Sequence, residues 1–170
     1  EVLKTNLHEL FGRQELVNVL DNFKEQYPKV VNDLIPEILP LGTVLSVAKN
    51  LLREGVSVRD LRTILESMCE YGISIKDASL LTEFARQALY RTISESVKNA
   101  EDEIPLFSLD RSLEELIVQN MVETESGQQL SLDPQITQNI LTLLNEKIEE
   151  ATGLGEKMVL LCSPVVRPHF

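Results

Sequence analysis

The sequence predicts a mainly α protein with a small α/β part, a helical bundle subdomain followed by an incomplete α/β subdomain. From Leu7 to Val97, apolar residues recur at helical spacing in nearly every window. The pattern breaks at Lys98–Glu103, a polar run carrying four charges. Beyond it, two apolar runs of strand length, Ile104–Leu109 and Met158–Cys162, flank two helical segments. Charge divides at the same place. Residues 1–100 hold 12 basic and 14 acidic side chains and residues 101–170 hold 4 and 13, so the net −11 splits into −2 and −9.

In residues 13–27, Leu16, Leu20, Phe23 and Tyr27 climb one helical face, with Val17 and Val19 beside them. Pro28, Pro36 and Pro40 limit 28–39 to a helical turn or two, because proline removes a donor and restricts the residue before it. The next helix, 41–54, buries Leu41, Val44, Leu45, Ala48, Leu51 and Leu52, and Gly55 closes it by permitting a left-handed backbone. Ser57 with Asp60 fits a capping box for a third helix whose stripe is Leu61, Ile64, Leu65 and Met68. After Gly72, Asp77 caps a long helix with Leu80, Leu81, Phe84, Ala88, Leu89 and Ile93 inward.

Past the charged break, Ile104–Leu109 is a short extended run, and Asp110 and Ser112 compete to cap helix 113–123; Ser112 with Glu115 fits the capping box better. Glu123–Gln129 reads as a polar loop. Asp133-Pro134 opens a firm helix, 134–151, with Ile136, Ile140, Leu143, Leu144 and Ile148 inward. Met158–Cys162 is then a strand. A crossover makes the two strands parallel, and two are too few for an independent sheet, so at least one more strand is expected past Phe170.

The composition, 43% hydrophobic and 25% charged over 170 residues, is that of an ordinary globular chain. With 16 basic against 27 acidic residues, extensive phosphate neutralisation is unfavourable, so a nucleic-acid partner is not expected. No run approaches the roughly 18 apolar residues that a membrane helix needs. Cys69 and Cys162 lie far apart with no partner at ligand spacing, which reads as reduced and cytosolic. The chain opens at Glu1 without a start methionine or leader, and reads as an excised piece.

Chemistry is sparse. The carboxylates Glu101, Asp102, Glu103, Glu149 and Glu150 have no histidine among them, and His8 and His169 stand at opposite ends of the chain, so neither a catalytic pair nor a metal site is expected, nor any cofactor. Cys162 followed by Arg167 faintly matches the anion-cradling loop of thiol enzymes, but Pro164 and Pro168 each remove an amide that such a loop needs. Residues 44–70 have the outline of a helix–turn–helix, and a regulator reading DNA through 57–71 is the alternative function; Asp60, Glu66 and Glu70 on the second helix oppose it. Arg59 and Arg62, on neighbouring faces, suit carboxylates of another subunit.

The runs His8-Glu9-Leu10-Phe11-Gly12-Arg13-Gln14-Glu15 and Leu51-Leu52-Arg53-Glu54-Gly55-Val56-Ser57-Val58-Arg59-Asp60-Leu61-Arg62-Thr63-Ile64-Leu65-Glu66, with the Arg86-to-Arg91 stretch, resemble the cytoplasmic domain of the type III secretion export-gate protein, the FlhA/SctV family. The Phe-Gly-Arg-Gln-Glu run favours the flagellar branch. The resemblance implies a bacterial inner-membrane protein whose cytoplasmic part forms a ring, understood as nonameric, and receives export chaperone–substrate complexes and other export components. It also implies an arrangement: 1–12 the trailing helix of a preceding subdomain, 13–98 a helical subdomain that packs ring neighbours, 99–103 a linker, and 104–170 an α/β subdomain truncated at its C-terminus. Arg59 and Arg62 would then lie at the subunit interface.

Overall fold

The computed structural model describes residues 7–124, 127–154 and 158–169. These fold as two compact units, 1–95 and 96–170. The elements of the first are α1 (Leu7–Leu10), α2 (Arg13–Lys24), α3 (Pro28–Asn32), an irregular turn Asp33–Ile38, α4 (Leu41–Arg53), α5 (Leu61–Tyr71) and α6 (Ala78–Ala88), with α7 (Tyr90–Val97) running across the division between the units. The second adds β1 (Leu106–Ser108), α8 (Arg111–Gln119), β2 (Met121–Thr124), β3 (Gly127–Leu130), α9 (Pro134–Leu154), β4 (Val159–Leu161) and a closing turn Arg167–His169.

In unit 1, helix ends are set by local chemistry that the sequence announces. Gly12 opens α2, with its N–H donating to Glu15 Oε2 at 3.0 Å. Gly55, at φ 71°, closes α4. Its N–H donates to the Leu52 carbonyl (3.1 Å) and that of Val56 to the Leu51 carbonyl (2.8 Å), satisfying two orphan acceptors while Val56 and Leu51 both enter the core. Asp77 caps α6 by accepting from Leu80 N at 2.9 Å. The core joins Leu16, Leu34, Leu39, Val47, Leu51, Leu65, Met68, Leu81 and Leu89, all nearly or completely buried. α6 packs on α4 and α5, and α5 packs also on α3 and on the 33–38 turn.

Four expectations for unit 1 need correction. Ser57 does not cap α5; Asp60 does, accepting from Thr63 N (3.2 Å) and Thr63 Oγ1 (2.8 Å), and the Ser57 hydroxyl instead accepts from Arg59 N. The helix therefore starts at Leu61 and leaves Arg59 in the preceding loop. The helix of 13–27 ends at Lys24, because Pro28 takes the first position of α3 and Tyr27 becomes its flanking residue, its ring stacked on Phe23 at 4.8 Å. The long helix after Asp77 is broken at Leu89 into α6 and α7. Its buried line is Leu81, Thr82, Ala85 and Leu89, so Leu80 and Ala88 face solvent.

In unit 2, β1 and β4 pair in parallel, Leu106 with Val159 through Ser108 with Leu161. Of the expected polar loop 123–129, the described residues belong instead to two antiparallel strands, in which Met121 pairs with Leu130 and Glu123 with Gln128; residues 125–126 lie outside the described residues. α8 starts earlier and ends sooner than 113–123. Asp110, not Ser112, is its cap, taking both the backbone N–H (2.9 Å) and the hydroxyl of Ser112. On α9, Ile136, Ile140 and Leu144 are half-buried, but Leu143 (61% exposed) and Ile148 (57%) face outward, against expectation.

Two tests follow from these contacts. A Cβ at Gly72 would collide with the Met68 carbonyl oxygen and stand 2.9 Å from Leu39 Cδ1. Alanine there gains at most about 1 kcal/mol of unfolded-state entropy, whereas overpacking costs about 1–3 kcal/mol. Gly72→Ala should therefore lower the urea midpoint with an unchanged slope; a midpoint equal to or above wild type would contradict the close approach. The hydrogen bonds from Ser112 hold the Asp110 carboxyl below its ordinary value. A depressed folded-state pKa gives stability that is present above the unfolded value, about 4, and is lost as pH falls through the folded value. The advantage of wild type over Asp110→Asn should accordingly shrink on acidification below about pH 4 in chemical unfolding; a gap that stays constant would refute the cap.

Candidate functional site

The turn at Gly55 and the cap at Asp60 together place loop 56–60 and the first turn of α5 on the surface of unit 1. Arg59, in that loop, is exposed and has no ion pair among the described residues. Arg62, one turn into the region, also points outward but is engaged. Its Nε donates to Glu66 Oε1 at 2.8 Å, and its guanidinium lies 5.3 Å from the centroid of the Tyr27 ring. The Glu66 hydrogen bond and charge raise the Arg62 pKa further. With 57% of its side chain exposed, this is a solvated pair that orients the guanidinium more than it stabilises the fold. Of the two arginines expected at an interface, Arg59 thus has no ion pair among the described residues, and Arg62 is held by its own helix.

Two grooves run along α5. The first, of about 460 Å³, is mainly apolar and is lined by Phe11, Val19, Phe23, Val58 and Leu61, with Arg59 on its wall. The second, of about 400 Å³, lies where α5 meets α6 and is lined by Thr63, Glu66, Ser67, Glu70, Tyr71 and Phe84. At 3.6 residues per turn, Leu61, Ile64 and Leu65 of the first groove and Thr63, Ser67 and Glu70 of the second fall on opposite sides of the helix. Tyr71 and Phe84 stack with ring centroids 4.0 Å apart. Ser67 is buried, and its hydroxyl has no hydrogen-bond partner among the described residues. The second groove was not legible from sequence: Tyr71 and Phe84 lie on different helices, and only the spacing of Glu66 and Glu70 hinted at a shared acidic face.

The other candidates fall in different units or are consumed. His8 sits on α1 of unit 1, and His169 in the closing turn of unit 2. Among the described residues no three His, Cys, Asp or Glu side chains cluster at metal-binding geometry. Burial pushes the Cys69 thiol up, and the charges of Asp33 and Glu66 push it further, which disfavours the reactive thiolate. Around Cys162 three of the amides an anion would need are taken. Ser163 N donates to the Glu114 carboxylate at 2.6 Å, and the amides of Val166 and Arg167 donate to the Ser163 carbonyl at 3.1 and 3.0 Å. A carboxylate seated on the first amide after the cysteine would repel a phosphate. The helix–turn–helix outline also lacks a basic face, since Arg59 precedes α5 and Arg62 shares the outward positions of the helix with Glu66 and Glu70 and is paired to Glu66.

A family model described as the FHIPEP family matches residues 1–170. The flagellar biosynthesis protein FlhA of Bacillus subtilis is 36% identical over 169 residues, covering 99% of this chain and 25% of that protein. The chain therefore spans about a quarter of the length of that relative. The nonameric SctV-C of EPEC, solved by cryo-electron microscopy, superposes with a TM-score of 0.79 at 28% identity, over 85% of this chain and 44% of that one. The Chlamydia pneumoniae CdsV chain, solved in complex with CdsO, gives a TM-score of 0.84 at 29% identity, over 98% of this chain and 49% of that one.

Proposed function

The chain belongs to the FHIPEP family, and we propose that it serves as an interaction and ring-building part of a bacterial type III protein export gate, on the cytoplasmic side of the inner membrane. The nonameric state of the EPEC relative carries the reading. It agrees with a helical unit that offers two grooves and an exposed arginine, Arg59, with no ion pair among the described residues. In this reading the chain works by binding and not by catalysis. Its neighbours are further copies of itself, and the intact protein is anchored in the membrane.

We assign Arg59 and Arg62 to the contact between ring neighbours. Tethering to a membrane raises the effective concentration of neighbouring copies, so a contact too weak to hold isolated chains together can still close a ring there. Other export components join this platform, as CdsO does with the Chlamydia relative, and export chaperone–substrate complexes dock on the wider cytoplasmic domain. The Phe11–Glu15 run supports the flagellar branch.

Deleting the codons for residues 7–169 in frame from the gene should abolish secretion of export substrates while their transcription continues. Undiminished secretion would overturn the gate reading. Unchanged secretion with altered transcription would instead favour the regulator that binds DNA.

A further inference from the structure

The groove between α5 and α6 is lined by polar side chains of α5 and by the stacked Tyr71–Phe84 pair, one ring from each helix, and two of its polar residues, Ser67 and Glu70, are left without a side-chain partner among the described residues. Among these residues the exposed Glu70 has no ion pair, and the Ser67 hydroxyl, on a residue only 6% exposed, lacks a hydrogen-bond partner. An unpaired carboxylate, an unpartnered buried hydroxyl and a stacked Tyr71–Phe84 pair together suit one kind of guest, a guanidinium. It donates to carboxylate and hydroxyl at once, and its flat cation lies favourably against aromatic rings. Glu66 beside them already holds Arg62 of its own chain, so the groove has room for one further cation, at Glu70.

We propose that this groove receives Arg59 of a second copy of the chain. The inference rests on the ring-building reading and specifies its contact. Arg59 is the exposed arginine beside the opposite groove of the same helix, and it has no ion pair among the described residues. Donor and acceptor surfaces thus lie on opposite sides of α5, so the contact joins unlike faces head to tail. A heterologous contact of this kind propagates from copy to copy and closes into a ring when its rotation allows. A self-complementary dimer would need both groups on one shared patch, which this arrangement does not supply. With a net charge of −11 on each copy, an arginine at the contact offsets part of the general repulsion between copies.

The test is charge reversal in the intact gene, with secretion as the readout. Arg59→Glu and Glu70→Arg should each lower secretion about tenfold or more, and the double variant should return it to within about twofold of wild type, since the pair is then restored in reverse. Each variant is also purified as the 170-residue chain, and its thermal midpoint should match wild type, because both positions are exposed. Single variants that secrete normally, or a double variant no better than the worse single, would overturn the pairing. Those failures are separate from failure of the gate reading, which shows as secretion that survives the in-frame deletion. Should a reversal lower the midpoint, Arg59→Gln and Glu70→Gln replace it, and normal secretion by both would equally overturn the proposal.

Discussion

Unit 1 depends on burying one face of α5. Ile64, Leu65 and Met68 are almost completely withdrawn from water, against α3, the 33–38 turn and α6. Each such side chain contributes about 1.5–3 kcal/mol by leaving solvent, so this single stripe outweighs any of the surface ion pairs. The C-terminal end of the helix is fixed more tightly still. Gly72 lets Ile38 and Leu39 approach closer than any side chain would allow, and Lys76 reaches back to donate to the carbonyls of both Ile38 (2.7 Å) and Gly72. That one ammonium satisfies acceptors left open where two segments end together. Because α5 is held along its inner stripe and at its end, the residues beside that stripe have defined positions, and the two flanking grooves are shaped before any partner arrives.

Much of this was legible because the controlling residues act locally. Gly55 closing α4, Asp77 capping α6 and Pro134 opening α9 each depend on a few neighbours in sequence, and each is found where its chemistry places it. The errors share a cause as well. Asp60 displaces Ser57 and Asp110 displaces Ser112 because a carboxylate is the stronger acceptor for the amides of a first turn, while the spacing of a capping box is only a pattern. The β2–β3 pairing was hidden by Glu123, Gln128 and Gln129, polar residues on a pair of strands that carries little apolar alternation. On α9, apolar residues are spread around the helix, so periodicity could not tell the half-buried Leu144 from the exposed Leu143.

The candidate site divides in the same way. That Arg62 avoids the buried stripe follows from helical geometry, whereas Arg59 lies in the loop before α5, and what each one meets is not set by spacing. Arg62 finds Glu66 on its own helix and Tyr27 from the end of a different one, and only the fold brings Tyr27 there. The acidic groove is assembled from two helices and is visible only once Tyr71 lies on Phe84. Function here rests on surfaces whose residues are far apart in the chain, unlike a catalytic motif, whose spacing can be read directly.

The central claim is that α5 forms a rigid wall between two preformed grooves, and amide hydrogen exchange of the 170-residue chain tests it most directly. The amides of Ile64, Leu65 and Met68 should exchange only through global unfolding, with an opening free energy equal to that from urea unfolding and the same dependence on denaturant. Exchange of these amides through a smaller, denaturant-independent opening while α4 remains protected would contradict the account, since the walls of both grooves would then be mobile.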